Sequence, residues 1–252
     1  MEDARILAVA GKGGVGKTSV SAAMVRLLAE AHPDARILAI DADPAVGLST
    51  ALGVEPETTL DDVRKKLSAE VASRQGGGVG DLLAGVRARL SDAMAHCPGY
   101  DFFAIGRPEA AGCYCAVNAY LRQVISLLIA DYDLVIVDSE AGIEQVNRRV
   151  LEKITDLILV TDASRKGAQV IRTVRRVADE LTMYRRCGVI LNRVTADAAS
   201  VVDRGDMPLL AVIGEDAAQT EFDILGKSVF DLPPDAAILR GAAEALRRLT
   251  IL

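Results

Sequence analysis

Runs in which every position is apolar recur along the chain: ILAV from Ile6, ILAI from Ile37, FFAI from Phe102, LVIV from Leu134, LILV from Leu157, VIL from Val189 and LLAVI from Leu209. A strand that is apolar on both faces must be covered on both. The intervening segments are long enough for helices, so the pattern predicts an α/β fold, doubly wound around a mostly parallel sheet. Thr58 to Pro98 breaks this rhythm: charged helical pieces flank Gly76, Gly77, Gly78 and Gly80. It reads as a helical excursion, about 58–98, within one domain spanning 1–252, and as a mobile surface connection rather than a dedicated partner-binding element.

Composition narrows the chemistry. The chain has 252 residues with 29 basic against 35 acidic side chains, a net charge of −6, which argues against a surface built to neutralise nucleic-acid phosphates. Aromatics at 4% with no Trp argue against a base-stacking platform. His32 and His96 are the only histidines, too few for a His-pair zinc protease and enough for at most one Ser-His-Asp arrangement. Four cysteines do not make a disulfide scaffold in a chain this long. The opening MEDARILAVAGKGG has neither the basic start nor the apolar run of a secretory signal, so a reducing, cytoplasmic compartment is expected. No stretch approaches twenty uninterrupted apolar positions, so no membrane span is expected.

The first strand runs directly into GKGGVGKT, residues Gly11, Lys12, Gly13, Gly14, Val15, Gly16, Lys17 and Thr18, and Ser19 to Ala31 carries helical apolar spacing. Glycines at this spacing let backbone N–H groups curl around phosphate oxygens, and the helix N-terminus adds favourable partial charge. Lys17 can bridge the terminal phosphates and Thr18 can offer its hydroxyl to Mg²⁺. The extra lysine, Lys12, makes the loop resemble the deviant phosphate loop of the MinD/ParA/nitrogenase-iron-protein superfamily, whose members are nucleotide-driven dimers. The resemblance extends over most of the chain. It implies an ATPase whose cofactors are ATP/ADP and Mg²⁺, and a homodimer in which Lys12 reaches the partner's nucleotide.

After the second run stands Asp41-Ala-Asp43-Pro44. A carboxylate there can hold and polarise attacking water, since phosphoryl transfer needs positioning more than a strong base. By family position Asp43 takes that role; Asp41 supports Mg²⁺ or the loop, or simply forms an Asx-turn before Pro44. The fourth run ends in Asp138, well placed to hold a Mg²⁺-bound water, and Gly142 lets the following loop respond to the γ-phosphate, as in the family's Walker B and second switch. Asn192, at the end of the VILN run, matches the residue whose amide reads adenine.

The third run leads to Gly112-Cys113-Tyr114-Cys115-Ala116-Val117-Asn118 and then an apolar-periodic helix through Leu121, Val124 and Leu128. Thiols at a helix N-terminus, with Arg107 near, ionise more readily, and thiolate is the metal-binding form. Two sulfurs one residue apart cannot enclose a tetrahedral ion, but a two-fold dimer supplies four, a closed site for Zn²⁺ or Ni²⁺. GCYCAVNAYLR resembles the signature of the CooC family, and Glu140, Gly142 and Glu144 suit it. That likeness implies an ATP-promoted dimer holding metal between subunits through Cys113 and Cys115. The client it implies is a nickel enzyme such as carbon monoxide dehydrogenase or the related acetyl-CoA synthase. Other readings of the pair are a redox-active dithiol or structural cysteines; Cys97 and Cys187 read as packing residues.

Two rival functions remain. One is a MinD/ParA-like positioning switch, which would use either Leu239 to Leu252 as an amphipathic anchor or the arginines 172, 175, 176, 185 and 186 against DNA. A packed terminal helix and a solvated helix face are the commoner fates of such segments. An iron–sulfur electron-transfer or scaffold ATPase places its cysteines differently from Cys113 and Cys115.

Overall fold

The computed structural model describes residues 4–43, 47–73, 79–106, 125–139, 154–180 and 184–252. All seven apolar runs are strands: β1 (Arg5–Gly11), β2 (Ile37–Asp41), β4 (Tyr100–Ala104), β5 (Leu134–Asp138), β6 (Asp156–Thr161), β7 (Arg186–Asn192) and β8 (Leu209–Ile213). An additional short strand, β3 (Ala95–Cys97), completes a sheet of order β3-β4-β2-β5-β1-β6-β7-β8. Every neighbouring pair is parallel except β3 with β4.

The described helices are α1 (Lys17–Ala31), α2 (Gly47–Leu52), α3 (Leu60–Ser73), α4 (Val79–Asp92), α5 (Arg165–Glu180), α6 (Ala196–Ser200), α7 (Ala217–Leu225) and α8 (Ala237–Arg248), with a further helical stretch at 125–129. Strand periodicity sorts the core into two layers. Ala8, Leu38, Ile40, Val135 and Val137 face α3, α4 and α5, whereas Leu7, Val9, Ile37, Ala39 and Ile136 face α1, α2 and α8. A residue shifted by one along any of these strands would change layers, so the pattern fixes register.

Within 58–98, the surface-connection reading gives way to packing: Leu60, Val63, Leu67, Val86 and Leu90 are buried in the first layer. The sequence obscured this because each helix shows only one apolar stripe among many charges, as a one-sided cover should. The chain's last helix is also packed. Ile238, Leu239, Ala242, Ala245 and Leu246 of α8 are buried against β8 and α1, which uses the face an anchor would need. No described helix is long and apolar enough to cross a membrane.

Candidate functional site

Because the strands run parallel, their carboxyl ends share one edge, and that edge carries the phosphate loop, Asp41, Asp138, Asp162 and Asn192. Gly11 to Gly16 connect β1 to the first turn of α1. Gly16 has φ +86°, and a Cβ there would stand 2.4 Å from Nδ2 of Asn192, so both torsion and space require glycine. The ammonium of Lys17 is folded over its own loop, donating to the carbonyl of Lys12 at 3.2 Å.

Asp138 is fully buried at the end of β5. It accepts from Oγ1 of Thr18 at 2.7 Å and from Oγ of Ser21 at 3.1 Å. Burial pushes its carboxyl up to about 6, against the pull of Thr18, Ser21 and the Lys17 charge. Asp41 stands directly opposite Asp138 in the β2–β5 register and is also fully buried. Burial, and then the Asp138 charge, push it up to about 7. Its oxygens accept from the backbone N–H of Asp43 at 3.1 Å and of Leu48 at 2.8 Å, so Asp41 ties the loop to α2. Two acids share this buried edge with one nearby lysine that points elsewhere. Hard oxygens from Asp138 and Thr18, short of positive charge, form the donor set a divalent cation such as Mg²⁺ prefers.

Lys12 pairs with Asp162, just beyond β6, at 2.7 Å. Burial works to raise the Asp162 carboxyl, yet the Lys12 ammonium and the hydroxyl and N–H of Ser164 together hold it below the usual carboxylate range. Sequence reasoning missed Asp162, although it follows an apolar run just as Asp138 does. Ser21, one helical turn after Lys17, carried no separable signal.

Asn192 is buried, donating Nδ2 to the carbonyl of Val15 at 2.8 Å and accepting at Oδ1 from the N–H of Arg193 at 3.1 Å. It borders a cavity of about 560 Å³ reaching from Ser19 to the start of α7, where Asp216, Gln219 and Thr220 form the far wall. That cavity, beside a phosphate loop and a helix N-terminus, is wide enough for a nucleoside.

Cys113, Cys115, Arg107, Glu140, Gly142 and Glu144 lie outside the described residues. Among the described residues no group of three or more His, Cys, Asp or Glu side chains could hold a metal ion. Cys97 and Cys187 are free and partly buried. On the arginine-rich face of α5, Arg172 pairs with Asp203, and Arg175 pairs with Asp179 at 3.0 Å.

A glycine loop between a central parallel strand and a helix, facing a buried carboxylate, defines a P-loop ATPase. Residues 6–229 match the family described as the CobQ/CobB/MinD/ParA nucleotide binding domain, and the chain belongs to that family. It is 32% identical over 249 residues to an uncharacterized ATP-binding protein of Methanocaldococcus jannaschii, covering 97% of this chain and 98% of that one. It is 29% identical to the carbon monoxide dehydrogenase accessory protein CooC of Rhodospirillum rubrum over 90% of each chain. Among solved structures, the septum site-determining protein MinD of Pyrococcus horikoshii OT3, complexed with Mg-ADP, superposes with a TM-score of 0.68 at 25% identity, covering 98% of this chain and 96% of that one.

Proposed function

We propose that the chain is an ATP-dependent dimeric metallochaperone that binds nickel or zinc between subunits and assists nickel insertion into an enzyme such as carbon monoxide dehydrogenase or acetyl-CoA synthase. The observation carrying this reading is positional. In sequence Cys113 and Cys115 follow β4, whose carboxyl end at Ala104 lies on the same sheet edge as the phosphate loop, which supports a reading in which the ion is handled near the nucleotide. The 29% identity to CooC supports the choice of client.

In this reading the loop N–H groups of Gly13 to Thr18 and the ammonium of Lys17 hold the phosphates, while Asn192 and the adjoining cavity take the base. Thr18 and Asp138 hold Mg²⁺, which supplies positive charge to the phosphate oxygens. Asp43, half-exposed at the mouth of the site, orients the attacking water. Lys12 leaves Asp162 to reach the partner's nucleotide, so pairing of the chains and loading with ATP are coupled. The ion is cargo: two thiolates from each subunit make a four-sulfur cage, and neither chain alone has enough donors.

Replacing both Cys113 and Cys115 by Ser should abolish an ion bound at one per dimer, measured by metal analysis of the nucleotide-loaded protein. Unchanged stoichiometry rules the pair out. The likeness to MinD favours a second reading, a positioning switch that carries no metal. That reading predicts ATP-dependent dimers with empty thiols. A visible iron–sulfur band in anaerobically purified protein would instead favour the electron-transfer or scaffold class.

A further inference from the structure

Asp138 can hold an ion only if its carboxylate is aimed, and the last torsion of an aspartate is soft. Two hydroxyls of α1 set it. Thr18 and Ser21 are three residues apart, so they lie on one face of the helix and meet the end of β5 together. Oδ2 accepts from Thr18 at 2.7 Å and Oδ1 from Ser21 at 3.1 Å. The backbone of Asp138 is fixed independently, by its place in β5 between β1 and β2 and by the N–H of Ala42, which donates to its carbonyl at 2.8 Å.

Ser21 has no competing use. A serine or threonine inside a helix commonly donates back to the carbonyl four residues earlier, as Thr173 of α5 does to Gln169 at 3.0 Å. Ser21 donates across to β5 instead, and it is fully buried, so no solvent partner competes. The neighbouring buried hydroxyl, that of Ser139, is committed to the carbonyl of Val9 at 2.6 Å. The ammonium of Lys17 is committed to the carbonyl of Lys12. Among the described residues, therefore, Oδ1 of Asp138 depends on Ser21, while Oδ2 stays with Thr18 at the end of the phosphate loop.

We infer that Ser21 is a positioning residue for the Mg²⁺ site: its hydroxyl anchors Oδ1 of Asp138 so that Oδ2 and the hydroxyl of Thr18 are presented together to the ion. The inference rests on the proposed binding of Mg²⁺ by Thr18 and Asp138. Groups that orient a ligating carboxylate are worth about 10- to 100-fold in metal affinity.

The test titrates Mn²⁺, as a spectroscopic substitute for Mg²⁺, into the full chain held in excess over ADP, following the free ion by electron paramagnetic resonance. Ser21→Ala should weaken Mn²⁺ binding about tenfold, while ADP affinity measured in EDTA changes by less than about twofold. Ser21→Thr, which keeps a hydroxyl, should hold Mn²⁺ close to the wild-type affinity. A merely structural role would weaken Mn²⁺ and the EDTA-measured ADP affinity together, and that result overturns the inference. Unchanged Mn²⁺ affinity in Ser21→Ala, or an equal loss in Ser21→Thr, overturns it too. All three leave the Thr18 and Asp138 reading intact. A wild-type complex that binds Mn²⁺ no more tightly than free ADP does overturns that reading as well.

Discussion

Two buried carboxylates on the same sheet have opposite surroundings. Asp156 opens β6 at the amino edge and lies 3.1 Å from the guanidinium of Arg5 and 2.7 Å from that of Arg186. The same arginines donate to the carbonyl of Leu249, so this cluster also fastens the end of the chain. Asp138 closes β5 at the carboxyl edge and, among the described residues, its hydrogen bonds come from hydroxyls, those of Thr18 and Ser21, while burial, with the Asp43 charge, holds its proton affinity up against the pull of Lys17. The first site finds its counter-charges within the protein, from two guanidiniums. Among the described residues the second has no ion pair, and a buried carboxylate without one at the strand ends of a parallel sheet is where a cation and a phosphate chain are to be expected.

Substituting each aspartate sharpens this contrast. Asp138→Asn should reduce ATP turnover about a thousandfold. Folding stability should change by less than about 1 kcal/mol, because hydroxyl partners can donate or accept. Asp156→Asn should do the reverse, costing about 3 kcal/mol in urea unfolding by leaving two guanidiniums without their counter-charge, while folded protein keeps its turnover. Equal stability losses in both would break the comparison.

Thiol chemistry extends it beyond the carboxylates. Burial pushes the Cys187 thiol up to about 11, against the pull of Arg175, and burial also raises Cys97. Less thiolate at pH 8 means slower alkylation, so mass-spectrometric mapping with iodoacetamide should find both at least tenfold slower than Cys113 and Cys115. Added Zn²⁺ with ATP should protect only the latter pair. The smallest effect is expected at Asp162. Its partly exposed pair with Lys12 is worth about 1 kcal/mol or less, so Asp162→Ala should strengthen ATP-dependent self-association by no more than a few-fold in sedimentation.

The seven long strands were legible because a continuous apolar run between helices has few other uses. Ala95–Cys97 was not, since three residues with His96 at their centre carry no pattern and owe their strand to pairing with Tyr100–Asp101-Phe102. The phosphate loop and Asp138 were readable for a local reason: glycine spacing and an acid after a buried run are contiguous in sequence. Asp162 offered the same signal. The cavity beside Ser19 offered none, because its walls meet only when the ends of β7 and β8 come together. Asn192 was placed at the right edge, but its bond to Val15 across 177 positions is a tertiary fact.

The most direct test of the central claim is sedimentation of the full chain loaded with Ni²⁺, followed at the nickel–thiolate absorption band, with and without a non-hydrolysable ATP analogue and Mg²⁺. The account predicts that the band travels with a nucleotide-dependent dimer, at one ion for two chains. A band that travels equally with monomer, whatever the nucleotide, would contradict it.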